Sequence, residues 1–117
     1  MVAIVRDNLG EIKKICKRMQ LQSLYLFGSG STQKNHTGES DLDFIFKFKR
    51  DENGLPVSGY DYFDLMFDLE KITGKKIDLV AEEKIKNKYF LDRVNQEKIK
   101  IYESRILQIH WRHFGFY

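Results

Sequence analysis

The sequence predicts a single α/β (α+β) domain in which helices form a layer against a small sheet. Two observations carry that reading. Apolar residues recur at helical spacing in 7–20 and 60–73 and at strand spacing in 40–49, so the two periods alternate along the chain. The chain has 117 residues, enough for one core, and no repeat, linker or low-complexity segment divides it.

The elements follow in order. Residues 7–20, DNLGEIKKICKRMQ, place Leu9, Ile12, Cys16 and Met19 on one helical stripe, with Ile15 beside it and Lys or Arg opposite. Asp7 or Asn8 is the expected cap. Cys16 on that stripe reads as a small buried apolar residue. LQSLYLF, 21–27, is a short strand with apolar side chains on both faces, and it runs into the turn-rich loop GSGSTQKNHTGES. SDLDFIFKFK, 40–49, alternates strictly and forms a second strand. RDENGLPVSG, 50–59, holds the chain's one proline and is a surface loop.

YDYFDLMFDLEKIT, 60–73, sets Tyr62, Leu65, Met66, Leu69 and Ile72 on one helical face, and Gly74 follows as a natural C-cap. Tyr60, Tyr62, Phe63 and Phe67 have the spacing of core and flank residues on that helix. KKIDLV, 75–80, is a third short strand, and AEEKIKNKYFLDRVNQEK, 81–98, has helical composition in two pieces around Asn87. The expected order is helix, strand, loop, strand, helix, strand, helix.

Bulk composition excludes several classes. A net charge of +3 with acids and bases interspersed lacks the clustered basic stripe of a dedicated nucleic-acid binder. The single Cys16 forms no internal disulfide, and MVAIVRDN lacks the basic leader and apolar run of a secretory signal. No stretch approaches the ~20 apolar residues that cross a bilayer. A reduced, cytoplasmic location without membrane association is expected.

The acids in SDLDF raise a chemical question, because carboxylates are depleted from strands. Alternation sends Asp41 and Asp43 to one face and Leu42, Phe44, Phe46 and Phe48 to the other, where the core lies. Residues two apart on a strand are about 6.5 Å apart, so both carboxylates reach ions held between them; two divalent cations ~3.5 to 4 Å apart fit. KKIDLV repeats the device, with Ile77 and Leu79 on one face and Asp78 on the other. If the two strands are neighbours, Asp78 joins the pair. Three such carboxylates repel one another unless cations neutralise them, and hard oxygen ligands suit Mg²⁺ or Mn²⁺. A lone Asp-x-Asp also fits surface acids at a strand end, so the loop upstream matters.

LFGSGS, 26–31, is a strand running into Gly28 and Ser29. Gly28 allows close backbone approach, Ser29 offers a hydroxyl, and the turn's exposed N–H groups form an anion site. A phosphate site a dozen residues before a metal site is what a metal-bound nucleoside triphosphate needs.

GSGSTQKNHTGESDLD resembles the Gly-Ser, roughly ten-residue spacer, Asp-x-Asp signature of the polymerase-beta-type nucleotidyltransferases, in particular the minimal nucleotidyltransferase (MNT) subfamily. The similarity extends over about 7–104 and includes the strand LYLFGS, the helix DYFDLMFDLEKITGKK, the third acid in KIDLV and the segment KNKYFLDRVNQEKIKIYES. It implies a small mixed sheet with helices mainly on one face, a nucleotidyltransferase domain over 1–104 and an aromatic extension over 105–117. It further implies two-metal transfer of a nucleoside monophosphate to a hydroxyl, with ATP as substrate and Mg²⁺ (or Mn²⁺) as cofactor. Asp41 and Asp43 would ligate both metals. Asp78 would hold the catalytic metal and help deprotonate the nucleophile, and Gly28 and Ser29, with Gly30 and Ser31 behind them, would hold the phosphates.

The chain departs from the family pattern in two places. Gly30 and Ser31 follow the Gly-Ser pair where relatives commonly carry Arg or a bulky residue, and eleven residues separate Ser29 from Asp41. Lys34 or His36 could supply the missing positive charge. By resemblance the partner is a HEPN ribonuclease toxin, with this chain as its antitoxin in a hetero-oligomer, transferring AMP to a toxin tyrosine. The alternatives are a non-catalytic antitoxin that neutralises by contact and a transferase acting on an antibiotic or other small molecule.

SRILQIHWRHFGFY, 104–117, gathers Trp111, Phe114, Phe116 and Tyr117. It reads equally as a partner anchor, a segment packed back on the domain, or a stretch without function. His110 and His113 have helical metal-pair spacing but no third ligand near them in sequence.

Overall fold

The computed structural model of the chain describes residues 1–28 and 41–104. Its strands are β1 (Leu21–Phe27), β2 (Leu42–Phe48), β3 (Ile77–Ala81) and β4 (Ile99–Glu103); its helices are α1 (Ala3–Asp7), α2 (Leu9–Arg18), α3 (Tyr62–Thr73) and α4 (Lys88–Glu97). The strands form one mixed sheet in the order β3-β2-β1-β4. β1 is antiparallel to β2 and β4, whereas β2 and β3 are parallel. A parallel pair needs a crossover, and α3 supplies it.

Three helices bury one face of this sheet. Val5, Ile12, Ile15, Cys16 and Met19 from α1, α2 and the turn after them, with Leu65 and Leu69 from α3, pack on Leu24, Leu26, Leu42, Phe44, Phe46, Ile77 and Leu79. Burial pushes the Cys16 thiol up to about 12, so it stays neutral and unreactive in the core, as its place on the helical stripe implies. Arg18 at the end of α2 pairs with Asp68 of α3 and lies 5.9 Å from the centre of the Tyr60 ring, tying the two helices together.

The other face is only partly covered. Ile45, in register with Tyr25 and Val80, points there and is 2% exposed. α4 lies over it: Phe90 meets Phe27 edge to face at 5.8 Å, and Val94, one turn on, is 2% exposed.

Local chemistry sets the helix ends. Asp61 accepts from the Asp64 amide at 3.0 Å while Asp64 accepts from the Asp61 amide at 2.9 Å, a capping box that starts α3. Gly74, at φ 69°, ends it in the left-handed region. Asn87 accepts from the Phe90 amide at 3.0 Å and starts α4, after a single 3-10 turn over 82–84, so the segment divides at Asn87 as its sequence suggests. Arg50 donates to the Gly54 carbonyl at 2.9 Å and to Glu83 at 3.0 Å, pinning the 50–56 loop to that turn.

The structure departs from the sequence-based expectation at three places. The first helix begins earlier and breaks into α1 and α2 at Asn8, whose amide donates to the Ile4 carbonyl at 2.8 Å instead of capping α2. Phe63 and Phe67 are 67% and 68% exposed, because Leu65, Leu69 and Thr73 already fill the buried stripe of α3 and only Tyr62 of the nearby rings turns inward, onto Phe46. Residues 99–103, read without a strand, form β4. Their ladder to β1 exists only after folding, and five residues carry too little alternation to announce it.

Candidate active site

The strand directions bring three ends together. Because β1 and β2 are antiparallel, the end of β1 lies beside the start of β2, and parallel β3 starts beside β2 on its other edge. Phe27 is opposite Asp43, and Asp43 is opposite Asp78, so one row of side chains crosses three strands on one face. Leu42 with Ile77 and Phe44 with Leu79 form the neighbouring rows, buried on the core face. Those apolar residues fix the register: a one-residue slip would drive the acids into the core.

Gly28 closes the row. It has φ 77°, and a Cβ added there would lie 2.7 Å from the Asp43 Oδ2 atom. The Asp43 carboxylate therefore rests against backbone that no side chain can cover. Burial pushes the Asp43 carboxyl up to about 6; the charge of Asp78 and the hydrogen bond that protonated Asp43 donates to it add to this, and Asp41 adds less. A carboxyl displaced that far above its usual range by burial and by apposed acids is a mark of a functional site.

Of the acids expected to converge, the structure brings Asp43 and Asp78 into hydrogen-bonding contact. Asp41 lies just ahead of β2, exposed, and acts on Asp43 through its charge alone. Among the described residues, no group of three Asp, Glu, His or Cys side chains closes into a metal-holding cage. Ser29, Gly30, Ser31, Lys34 and His36 of the loop, and His110, His113 and the other residues of 105–117, lie outside the described residues. The donor set nevertheless fits a divalent cation. Two apposed carboxyls are the hard oxygen donors that Mg²⁺ or Mn²⁺ takes, and a cation between them would relieve the repulsion that helps raise Asp43.

The sequence reading did not single out Phe27 and Phe90 as neighbours of the acids. Phe27 had a usable signal: it directly precedes Gly28 and shares strand parity with Tyr25. Phe90 had none, because only the folded position of α4 sets it on Phe27.

Comparison with known proteins agrees with this geometry. The family described as polymerase beta, nucleotidyltransferase matches residues 10–106. A Methanocaldococcus jannaschii protein named "Putative protein adenylyltransferase" is 36% identical over 98 residues, which is 83% of this chain and 94% of that protein. Among solved structures, a toxin–antitoxin structure with AMP-PNP has a TM-score of 0.59 at 21% identity, covering 92% of this chain and 90% of that one. A second, of a tri-AMPylated Shewanella oneidensis HEPN toxin in complex with MNT antitoxin, has a TM-score of 0.54 at 18% identity, covering 94% and 88%. The fold, the row of acids beside a glycine and the match across most of the chain agree: this protein belongs to the polymerase beta nucleotidyltransferase family.

Proposed function

We propose that this chain is a metal-dependent protein adenylyltransferase that acts as the antitoxin of a HEPN-type toxin, moving AMP from ATP onto a tyrosine hydroxyl of that partner. The observation that carries the reading is the Asp43–Asp78 pair on adjacent parallel strands against Gly28. It is supported by the name of the M. jannaschii relative and by the toxin–antitoxin complexes that share the fold.

In this scheme Asp41, Asp43 and Asp78 would hold the divalent cations, and Gly28 would leave the triphosphate room beside Asp43. The cation, when bound, neutralises charge on the attacking and leaving oxygens. Asp78, exposed at the start of β3, accepts the proton that the tyrosine hydroxyl gives up. The hydroxyl oxygen bonds to the α-phosphorus, the bond from that phosphorus to the bridging oxygen breaks, and pyrophosphate leaves with the electron pair. Ser29, Gly30 and Ser31 are proposed to hold the departing phosphates through backbone and hydroxyl donors. The protein acts where its partner does, in the cytoplasm.

The test is transfer of label from ATP, labelled at the α-phosphate, to the partner toxin in Mg²⁺. Asp43→Asn and Asp78→Asn are expected to cut the rate by about 10²-fold or more, the scale of removing a preorganised electrostatic group. Transfer at the wild-type rate by either variant overturns the assignment of those acids. A second reading, neutralisation by contact alone, draws on Gly30 and Ser31 standing where relatives commonly carry Arg or a bulky residue, and on the aromatic residues of 105–117. It predicts that the Asp43→Asn variant neutralises the toxin as well as wild type while wild type transfers no label.

A further inference from the structure

We propose that Phe27 and Phe90 form a stacking platform for the nucleobase, giving this site a preference for purine over pyrimidine triphosphates. The inference rests on the nucleotidyltransferase reading above and adds to it what holds the base. Its basis is the row of side chains that crosses the sheet. Phe27 is the cross-strand neighbour of Asp43, on the same face, with Cβ atoms about 4.5 to 5.5 Å apart in such pairs. Phe90 stands edge-on to Phe27 at 5.8 Å between ring centres and keeps 38% of its surface exposed. A nucleotide whose phosphates lie at Gly28 and Asp43 therefore has its sugar and base within reach of these two rings.

Three features make the rings a platform and not core. They lie outside the apolar cluster that α1, α2 and α3 build on the opposite face. Phe90 is held in place by its backbone: its amide donates to Asn87 at 3.0 Å in the first turn of α4, so the ring is fixed at a helix start. Tyr89, beside it in the first turn of α4, is 86% exposed. Neither Phe27 nor Phe90 offers a side-chain donor or acceptor, so the pair reads stacking area and not base edges. Purines present more of that area than pyrimidines.

Calorimetric titration of the full chain in Mg²⁺ with ATP, CTP and inorganic tripolyphosphate tests this, using wild type, Phe90→Ala and Phe90→Trp. Wild type is expected to bind ATP more tightly than CTP. Phe90→Ala should weaken ATP by roughly 5- to 100-fold, the range for loss of one base–aromatic stack, narrow the ATP/CTP ratio and leave tripolyphosphate unchanged. Phe90→Trp should restore ATP binding and its advantage over CTP. Unchanged ATP affinity in Phe90→Ala, or equal losses for ATP and tripolyphosphate, overturns the platform and leaves the nucleotidyltransferase reading standing. Wild type that binds neither ATP nor tripolyphosphate overturns that reading itself.

Discussion

The two faces of the sheet are built on opposite terms. On one, Leu24, Leu26, Leu42, Phe44, Phe46, Ile77 and Leu79 share a single apolar cluster with residues of α1, α2 and α3. On the other, the row Phe27, Asp43, Asp78 places two like charges side by side, and burial further disfavours the charged form of Asp43. The first face supplies stability; the second spends part of it. An unfavourable carboxyl pair persists only because the packed face holds both strands in register, which is how a small domain sustains a strained functional site.

The comparison is broken most severely from the packed side. Phe44, fully buried beneath the acids, anchors β2. Phe44→Ala should cost about 3 to 5 kcal/mol, a large share of a marginal domain's stability, as read from urea midpoints. Loss of less than about 1 kcal/mol would mean that this face does not fix the register.

Two glycines sharpen the contrast at intermediate size. Gly28 and Gly74 both have positive φ, 77° and 69°, but an added Cβ meets Asp43 at the first and nothing within 4 Å at the second. Gly74→Ala should cost about 1 to 2 kcal/mol, the left-handed backbone penalty alone. Gly28→Ala carries the same penalty plus the collision with the Asp43 carboxylate, so it should cost more and also reduce nucleotide transfer. Equal costs for the two, with transfer intact, would show that Asp43 does not rest on Gly28.

The smallest effect concerns the acids themselves, measured in metal-free protein with EDTA. The Asp43 carboxyl is at about 6 when folded against an ordinary value of 3.8. A raised folded value means that the folded state binds the proton more tightly, so this contribution is complete below pH 3.8 and is lost as pH rises through 6. Asp43→Asn removes the dependence. With the partial exposure of the site discounted, the variant should gain about 1 kcal/mol over wild type at pH 8, and the gain should shrink towards pH 5. Thermal melts at the two pH values check the sign; a variant less stable than wild type at pH 8 contradicts a repulsive pair.

Much of this was legible from residues. The alternation in SDLDFIFKFK assigns Asp43 to the face away from Phe44, and KKIDLV does the same for Asp78, because a strand has only two faces. The Asp61 to Gly74 segment carries its own start and stop signals. The break at Asn8 was less legible, because an Asn side chain serves equally as a cap or as a donor to the preceding turn. The exposed Phe63 and Phe67 had helical spacing but no room on the buried stripe, and spacing does not report room.

The amino-acid pattern by itself determined which strands exist near the site, which face each acid takes and where α3 begins and ends, since periodicity and capping are local properties of the chain. The tertiary structure alone decided that β3 pairs in parallel with β2 so that Asp78 faces Asp43, that β4 joins the sheet, and that α4 lays Phe90 on Phe27. Those are relations between distant segments, selected by burial of the whole apolar face, and no local window of sequence contains them.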